Sequence, residues 1–326
     1  MPIINQIVKG GGGSAPDYYI TLTKNANNQL NKATFLPDLT GVDDLGGYCF
    51  AYAWRYTYLS GNADLSGLKK LTGSSCLQHA FYQTRITGLD MSNIEEITGN
   101  DACQGMCYSC SSLTGAFSMP KLKKIGNAFG SAFWGCNFTS INLKSFEEFT
   151  SYSGLSGTFE QNKNLVTVQF ESLYKMNYAG VMNRTFASCT SLQSLWFYAL
   201  DTNSFGSPTN QFDNMLSGVT GCTVHFPIRI QSTIGSWTSV TNGFNGTNTT
   251  VLFDIVTSLV GADTNTYTRS EKNSTSTATA WLYNDTLYYT SGVSNHTAGV
   301  NEPSVGDTIY SDDACTTAVT TISSIA

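Results

Sequence analysis

An aromatic residue followed three positions later by Cys, and three later again by Leu, returns through this chain. Phe186-Ala187-Ser188-Cys189-Thr190-Ser191-Leu192 states the phrase in full and Phe133-Trp134-Gly135-Cys136 in part. Aligned on the aromatic, the column runs Trp54, Phe81, Cys107, Phe133, Phe159, Phe186 and Leu216, each 26 to 30 residues after the last. Four residues before each stands a second apolar group: Phe50, Leu77, Cys103, Phe129, Leu155, Met182 and Phe212. Two columns in step mean a unit stacked on copies of itself, because no such unit buries its apolar side alone.

Five or six residues after the aromatic come Leu59, Ile86, Leu113, Phe138, Leu165 and Leu192. They open short alternating runs such as Ile141-Asn142-Leu143, Val168-Gln169-Phe170 and Leu195-Trp196-Phe197. Alternation at period two marks a half-buried strand. Each unit therefore reads strand, turn, then a short convex segment ending in the aromatic, and the strands of stacked units form a parallel sheet along one face.

This register resembles leucine-rich repeats, and the aromatic-x-x-Cys-x-x-Leu phrase resembles the BspA-like branch of that family over residues 42 to 253. The resemblance implies a leucine-rich repeat solenoid with short helical or irregular convex segments, and a role in adhesion. The units are longer than is usual in that branch, and Cys107 and Leu216 replace the aromatic. Four segments are expected. Residues 1–41 form an N-terminal anchoring peptide (Ile3, Ile4, Ile7, Val8) with a hinge at Gly10 to Gly13. Residues 42–227 form the repeats. Residues 228–253 form a capping unit, with Ile230, Ile234, Trp237 and Val240 at helical spacing and a last strand near Thr249-Thr250-Val251-Leu252-Phe253. Residues 254–326, rich in Thr, Ser, Asn and Tyr, form a small all-β domain.

Charged residues are only 12% of the chain, against roughly 25% in an average globular protein. With a net charge of −6 and no run of Lys or Arg, nothing here tracks a phosphate backbone, so nucleic acid is not an expected partner. No window reaches the roughly 20 apolar residues of a membrane span, and the first residues lack the features of a secretory signal.

Motifs for chemistry are few. Cys103-x3-Cys107-x2-Cys110 has zinc-like spacing, but the three residues fall in repeat columns, which favours reduced core cysteines. There is no HExxH, GxSxG or Walker pattern among residues that include only three histidines, His79, His225 and His296. Glu95-Glu96 and Glu147-Glu148 share one repeat phase with Lys69-Lys70 and Lys123-Lys124, so they read as a solvated edge of alternating sign. A glycosidase needs two carboxyl groups about 5 to 10 Å apart. Asp90 and Glu171 are about three units apart, too far at about 4.8 Å per strand. No catalytic residue, metal ligand or cofactor site is expected.

The outward strand positions form a ladder, Asp64, Asp90, Ser118, Asn142, Gln169, Trp196 and His225, flanked by Ser92, Lys144, Glu171 and Tyr198. Asn142, Gln169, Glu171, Trp196, Tyr198 and His225 are the candidate ligand-binding residues, with the aromatics as sugar-stacking or protein anchors. The opposing reading packs Trp196 and Tyr198 against the cap or the terminal domain. The apolar start, the glycine hinge, the missing export signal and the terminal β domain also resemble bacteriophage virion proteins, in which a leading peptide docks on the particle and the remainder meets the host. The expectation is a non-enzymatic binding protein of a phage tail, located on the virion. It would contact a cell-surface glycan or protein, dock on the virion or on itself through the N-terminal peptide, and be capable of homo-oligomerisation. A bacterial cell-surface adhesin and a structural scaffold are the alternatives.

Overall fold

The computed structural model describes residues 39, 41–206, 210–234, 243–270, 278–291 and 303–326, with three further strands nearer the start, β1 (Ile4–Val8), β2 (Tyr18–Lys24) and β3 (Leu30–Asn31). These three pair antiparallel in the order β1-β2-β3. The glycine hinge lies outside the described residues, as do Trp237 and Val240.

From residue 41 the chain coils, and one strand per coil lies on the inner face. These strands are β4 (Ser60–Asp64), β6 (Arg85–Asp90), β8 (Thr114–Ser118), β10 (Asn137–Asn142), β12 (Thr167–Phe170), β13 (Ser194–Phe197), β14 (Thr223–Pro227) and β15 (Thr250–Ile255). All neighbouring pairs are parallel, in a two-stranded sheet β4-β6 and a six-stranded sheet running from β8 to β15. Two-residue strands β5 (Lys70–Leu71), β7 (Glu96–Ile97), β9 (Lys124–Ile125) and β11 (Glu148–Phe149) make a second parallel sheet at the edge. The architecture is a solenoid of stacked coils.

The interior follows the sequence columns. Every member of the aromatic column and of the column four residues before it is buried. Trp54 stacks on Phe81 at 5.1 Å, Phe133 on Phe159 at 5.6 Å and Phe159 on Phe186 at 6.0 Å, with interplanar angles of 11°, 12° and 7°. Fully burying one such side chain contributes roughly 1.5–3 kcal/mol.

The convex segments are chains of turns, not helices. In the first coil Phe50, Tyr52, Trp54 and Tyr56 donate their N–H groups to Cys76, Gln78, Ala80 and Tyr82 of the next coil at 2.8 to 2.9 Å. Ala51, Ala53, Arg55 and Thr57 donate theirs three residues back within the coil, at 3.1 to 3.3 Å. Every second N–H thus ties one coil to the next, which satisfies buried backbone without a helix. The ribbon repeats every four residues, and this explains why the two apolar columns are four apart. It also places every fourth residue in left-handed backbone: Ser75, His79 and Gln83 in the second coil, Asp101, Gly105 and Ser109 in the third. That conformation costs a non-glycine residue roughly 1–2 kcal/mol. Short polar side chains, which hydrogen-bond locally, tolerate it best.

The cysteines belong to this packing. Cys110, Cys136 and Cys189 donate their S–H groups to the carbonyls of Phe81, Cys107 and Phe159 at 2.9, 3.2 and 3.1 Å, and the Asn162 side-chain amide donates likewise to the carbonyl of Phe133 at 2.8 Å. Burial pushes the Cys49 thiol up to about 11 and those of Cys76, Cys189 and Cys222 up to about 12. Cys110 is the exception, held below the usual value by the Cys107 thiol.

The solenoid's far end carries a 3-10 turn (Ile228–Ile230) and one helical turn α1 (Gln231–Ile234) before β15. After a two-residue link from β15, strands β16 (Ser258–Gly261), β17 (Thr266–Ser270), β18 (Ala278–Tyr283), β19 (Thr286–Ser291), β20 (Thr308–Tyr310) and β21 (Ala318–Ile325) close into an antiparallel barrel. Leu259, Tyr267, Trp281, Ile309 and Ile322 fill it, and the Trp281 indole N–H reaches Thr290 Oγ1 at 2.9 Å. Closure removes the exposed strand edges that a small open sheet would present.

Candidate functional site

Parallel pairing sets the outward ladder. Asp64 lies opposite Asp90, and Ser118, Asn142, Gln169, Trp196 and His225 succeed one another in register across β8, β10, β12, β13 and β14. Between β6 and β8 the sheet is interrupted, and an open depression of about 320 Å³ lies there beside Asp90, Ser92 and Ser118.

The middle of the ladder is an open polar shelf. Ser140, Ile141, Asn142, Lys144, Thr167 and Gln169 line a shallow cavity of about 300 Å³. Asn142 and Gln169 are half-buried neighbours there. The Asn142 Oδ1 accepts the Lys144 backbone N–H at 3.2 Å, which fixes the side chain and leaves its NH₂ as a donor. Lys144 Nζ meets Glu171 Oε1 at 2.6 Å, so the flanking ladder offers a neutralised pair. Ser140 and Thr167 were not among the expected site residues. Ser140 enters because a bulge between Phe138 and Ser140 shifts the register, and unequal unit lengths are the only trace of that in the sequence.

The far end of the ladder is closed, which corrects the expected site. Trp196, Tyr198 and His225 are only 6%, 4% and 6% exposed, so as placed they are not open to a ligand. Trp196 stacks flat on His225 at 3.5 Å between ring centroids and beside Tyr198 at 6.0 Å. Trp196 and Tyr198 form one cluster with Ile255, the last residue of β15. Arg269, from the barrel, lies 5.7 Å from the Tyr198 ring centre and 5.8 Å from that of Trp281. The His225 ring nitrogen Nδ1 lies 2.8 Å from Asp254 Oδ2. Arg229 reaches Leu200 O and Ala199 O in the solenoid and Thr257 Oγ1 at the barrel entrance, at 3.0, 3.2 and 2.9 Å. These residues form the junction between solenoid and barrel. Of the six candidate residues, the structure groups Asn142, Gln169 and Glu171 around the shelf and Trp196, Tyr198 and His225 in the junction.

The edge carboxylates form charge ladders. Lys70 meets Glu96 at 3.5 Å, and Glu148 is held by both Lys124 at 3.2 Å and Lys175 at 2.6 Å. The adjacent column pairs Lys69 with Asp43 and Lys123 with Glu147. Hydrogen bonds from Lys175 first, then from Lys124, hold the Glu148 carboxyl below its usual range against the opposing effect of burial. Among the described residues no group of three or more His, Cys, Asp or Glu side chains converges as a metal site would require, and no helix is long and apolar enough to cross a membrane. No family model matches the chain, and no curated protein and no solved structure matches it.

Proposed function

We propose that the chain is a non-enzymatic binding protein of the BspA-like leucine-rich repeat type, whose inner sheet recognises a cell-surface glycan or protein. One observation carries this reading: Ser118, Asn142 and Gln169 form a register-aligned polar row on a rigid parallel sheet, beside an open cavity of about 300 Å³. Amide and hydroxyl groups at strand spacing, with few net charges, suit the neutral hydroxyl groups of sugars or the main chain of a partner. The barrel closes one end of the row through Trp196 and Tyr198, which confines the binding face to the coils before β13.

Within that class we favour a tail-associated virion component over a bacterial surface adhesin. The S–H donors of Cys110, Cys136 and Cys189 require thiol hydrogens, which supports assembly in a reducing compartment.

An array of neutral glycans and surface proteins, read with wild type and with Asn142→Ala/Gln169→Ala, tests the reading. At least a tenfold loss of one wild-type signal, with thermal stability kept, is expected. Unchanged binding by the double variant removes the shelf as the site. Binding by neither protein leaves a scaffold as the better account.

A further inference from the structure

The first coil departs from the others at the positions where its backbone is left-handed. Tyr48, Tyr52 and Tyr56 have φ of 57°, 59° and 58°, while the matching positions of the next two coils hold Ser75, His79, Gln83 and Asp101, Gly105, Ser109. Bulky aromatics are the residues least suited to this conformation. All three rings are also exposed, at 68%, 46% and 58%; Tyr52 and Tyr56 meet the His79 and Tyr82 rings of the next coil at 5.2 and 5.3 Å, but none of the three belongs to the buried core. Residues kept against both backbone preference and burial point to a function.

A cation sits among these rings. Arg55 lies 5.4, 4.7 and 5.0 Å from the ring centres of Tyr52, Tyr56 and Tyr82, and its Nη2 donates to Tyr56 Oη at 3.0 Å. Arg85, on the next coil, lies 4.5 Å from the ring centre of Tyr58. Among the described residues, neither guanidinium forms an ion pair with a carboxylate. By contrast Lys69, Lys70, Lys123, Lys124, Lys144 and Lys175 all do. Arg55 is thus held, half-buried and without a carboxylate partner among the described residues, between the rings of Tyr52, Tyr56 and Tyr82.

We propose that this convex face is a second binding site, taking an acidic saccharide whose carboxylate or sulfate meets Arg55 and whose sugar faces lie against the tyrosines. A guanidinium offers paired donors to such an anion, and flanking rings reduce what it loses on ordering. The tyrosines recur every four residues along the ribbon, and this regularity matches a polymer of repeating flat rings better than the varied side chains of an acidic peptide.

The test is an array of uronate-bearing, sialylated and sulfated glycans, each beside its neutral counterpart, with polyglutamate as a competitor. Wild type should retain at least one acidic series and not its neutral counterpart. Arg55→Gln should weaken that binding at least tenfold. Tyr52→Ser/Tyr56→Ser should weaken it as much without lowering the melting temperature, since Ser stands at such positions in later coils. The inner-sheet variant Asn142→Ala/Gln169→Ala should bind acidic glycans as wild type does, which separates this site from the shelf. Three results would overturn the proposal: no acidic glycan retained, equal binding by the convex variants, or displacement of the glycan by polyglutamate at equal charge concentration.

Discussion

Gln169 and Trp196 are neighbours in one ladder, paired across parallel strands with the same backbone geometry, yet one faces an open shelf and the other is closed in. The difference does not come from the repeat, which treats the two positions alike. It comes from the end of the solenoid and the barrel joined to it: Ile255, Arg229 and Arg269 bring the barrel entrance over the last strands. Position in a repeat therefore fixes which side of the sheet a residue points to, while the terminal domain decides whether that side meets solvent.

The contrast predicts unequal costs of truncation. Trp196→Ala should lose about 3–5 kcal/mol, the range for a buried large aromatic, whereas Gln169→Ala should stay within about 0.5 kcal/mol. Denaturant unfolding of the two variants checks this, and similar values for both would end the distinction. Arg229→Ala should come next, at about 2 kcal/mol, because hydrogen bonds from a charged donor to Leu200, Ala199 and Thr257 are lost together. The unfolding midpoint of the barrel, followed through Trp281 fluorescence, should fall with it.

A third region sharpens the comparison because it is ionic. The Glu148 carboxyl is lowered from its ordinary 4.5 by Lys175 and Lys124. Its stabilisation is therefore complete above about pH 4.5 and is lost as the pH falls through the lowered folded value. Stability measured across that acidic range should decline in wild type and decline less in Glu148→Gln. The smallest effect is expected on the shelf's own rim, where a double-mutant cycle on Lys144 and Glu171 should give a coupling of ~0.2–1 kcal/mol that shrinks with salt. A coupling above about 2 kcal/mol would show that the shelf is as tightly built as the junction.

Much of this arrangement was legible in the sequence. The two apolar columns, the strand positions and the outward ladder can be read from Phe133, Phe159 and Phe186 and from runs such as Val168-Gln169-Phe170, because burial on one side forces period two. The turn ribbon was hidden, since residues four apart, such as Phe50 and Trp54, suit a helix as well. What distinguishes the two is the recurrence of Ser, Gly, Asp or Gln at every fourth outward position, as at Asp101, Gly105 and Ser109. Closure of the far end was not legible either. Trp196 and His225 obey the same alternation as Asn142, and what covers them, their mutual stacking together with Ile255 and Asp254 about 30 to 60 residues later, is not visible in the repeat.

The alternating hydrogen bonds of the convex ribbon have a mechanical consequence. Each coil is fastened to the next by a row of parallel links lying along the long axis, so a load applied between the two ends would strain every interface in series. Such a spring would give way one rung at a time. Each released rung of about 26 residues would add roughly 90 Å of slack at ~3.5 Å per residue, so the chain would absorb a pull through successive small yields in place of a single break.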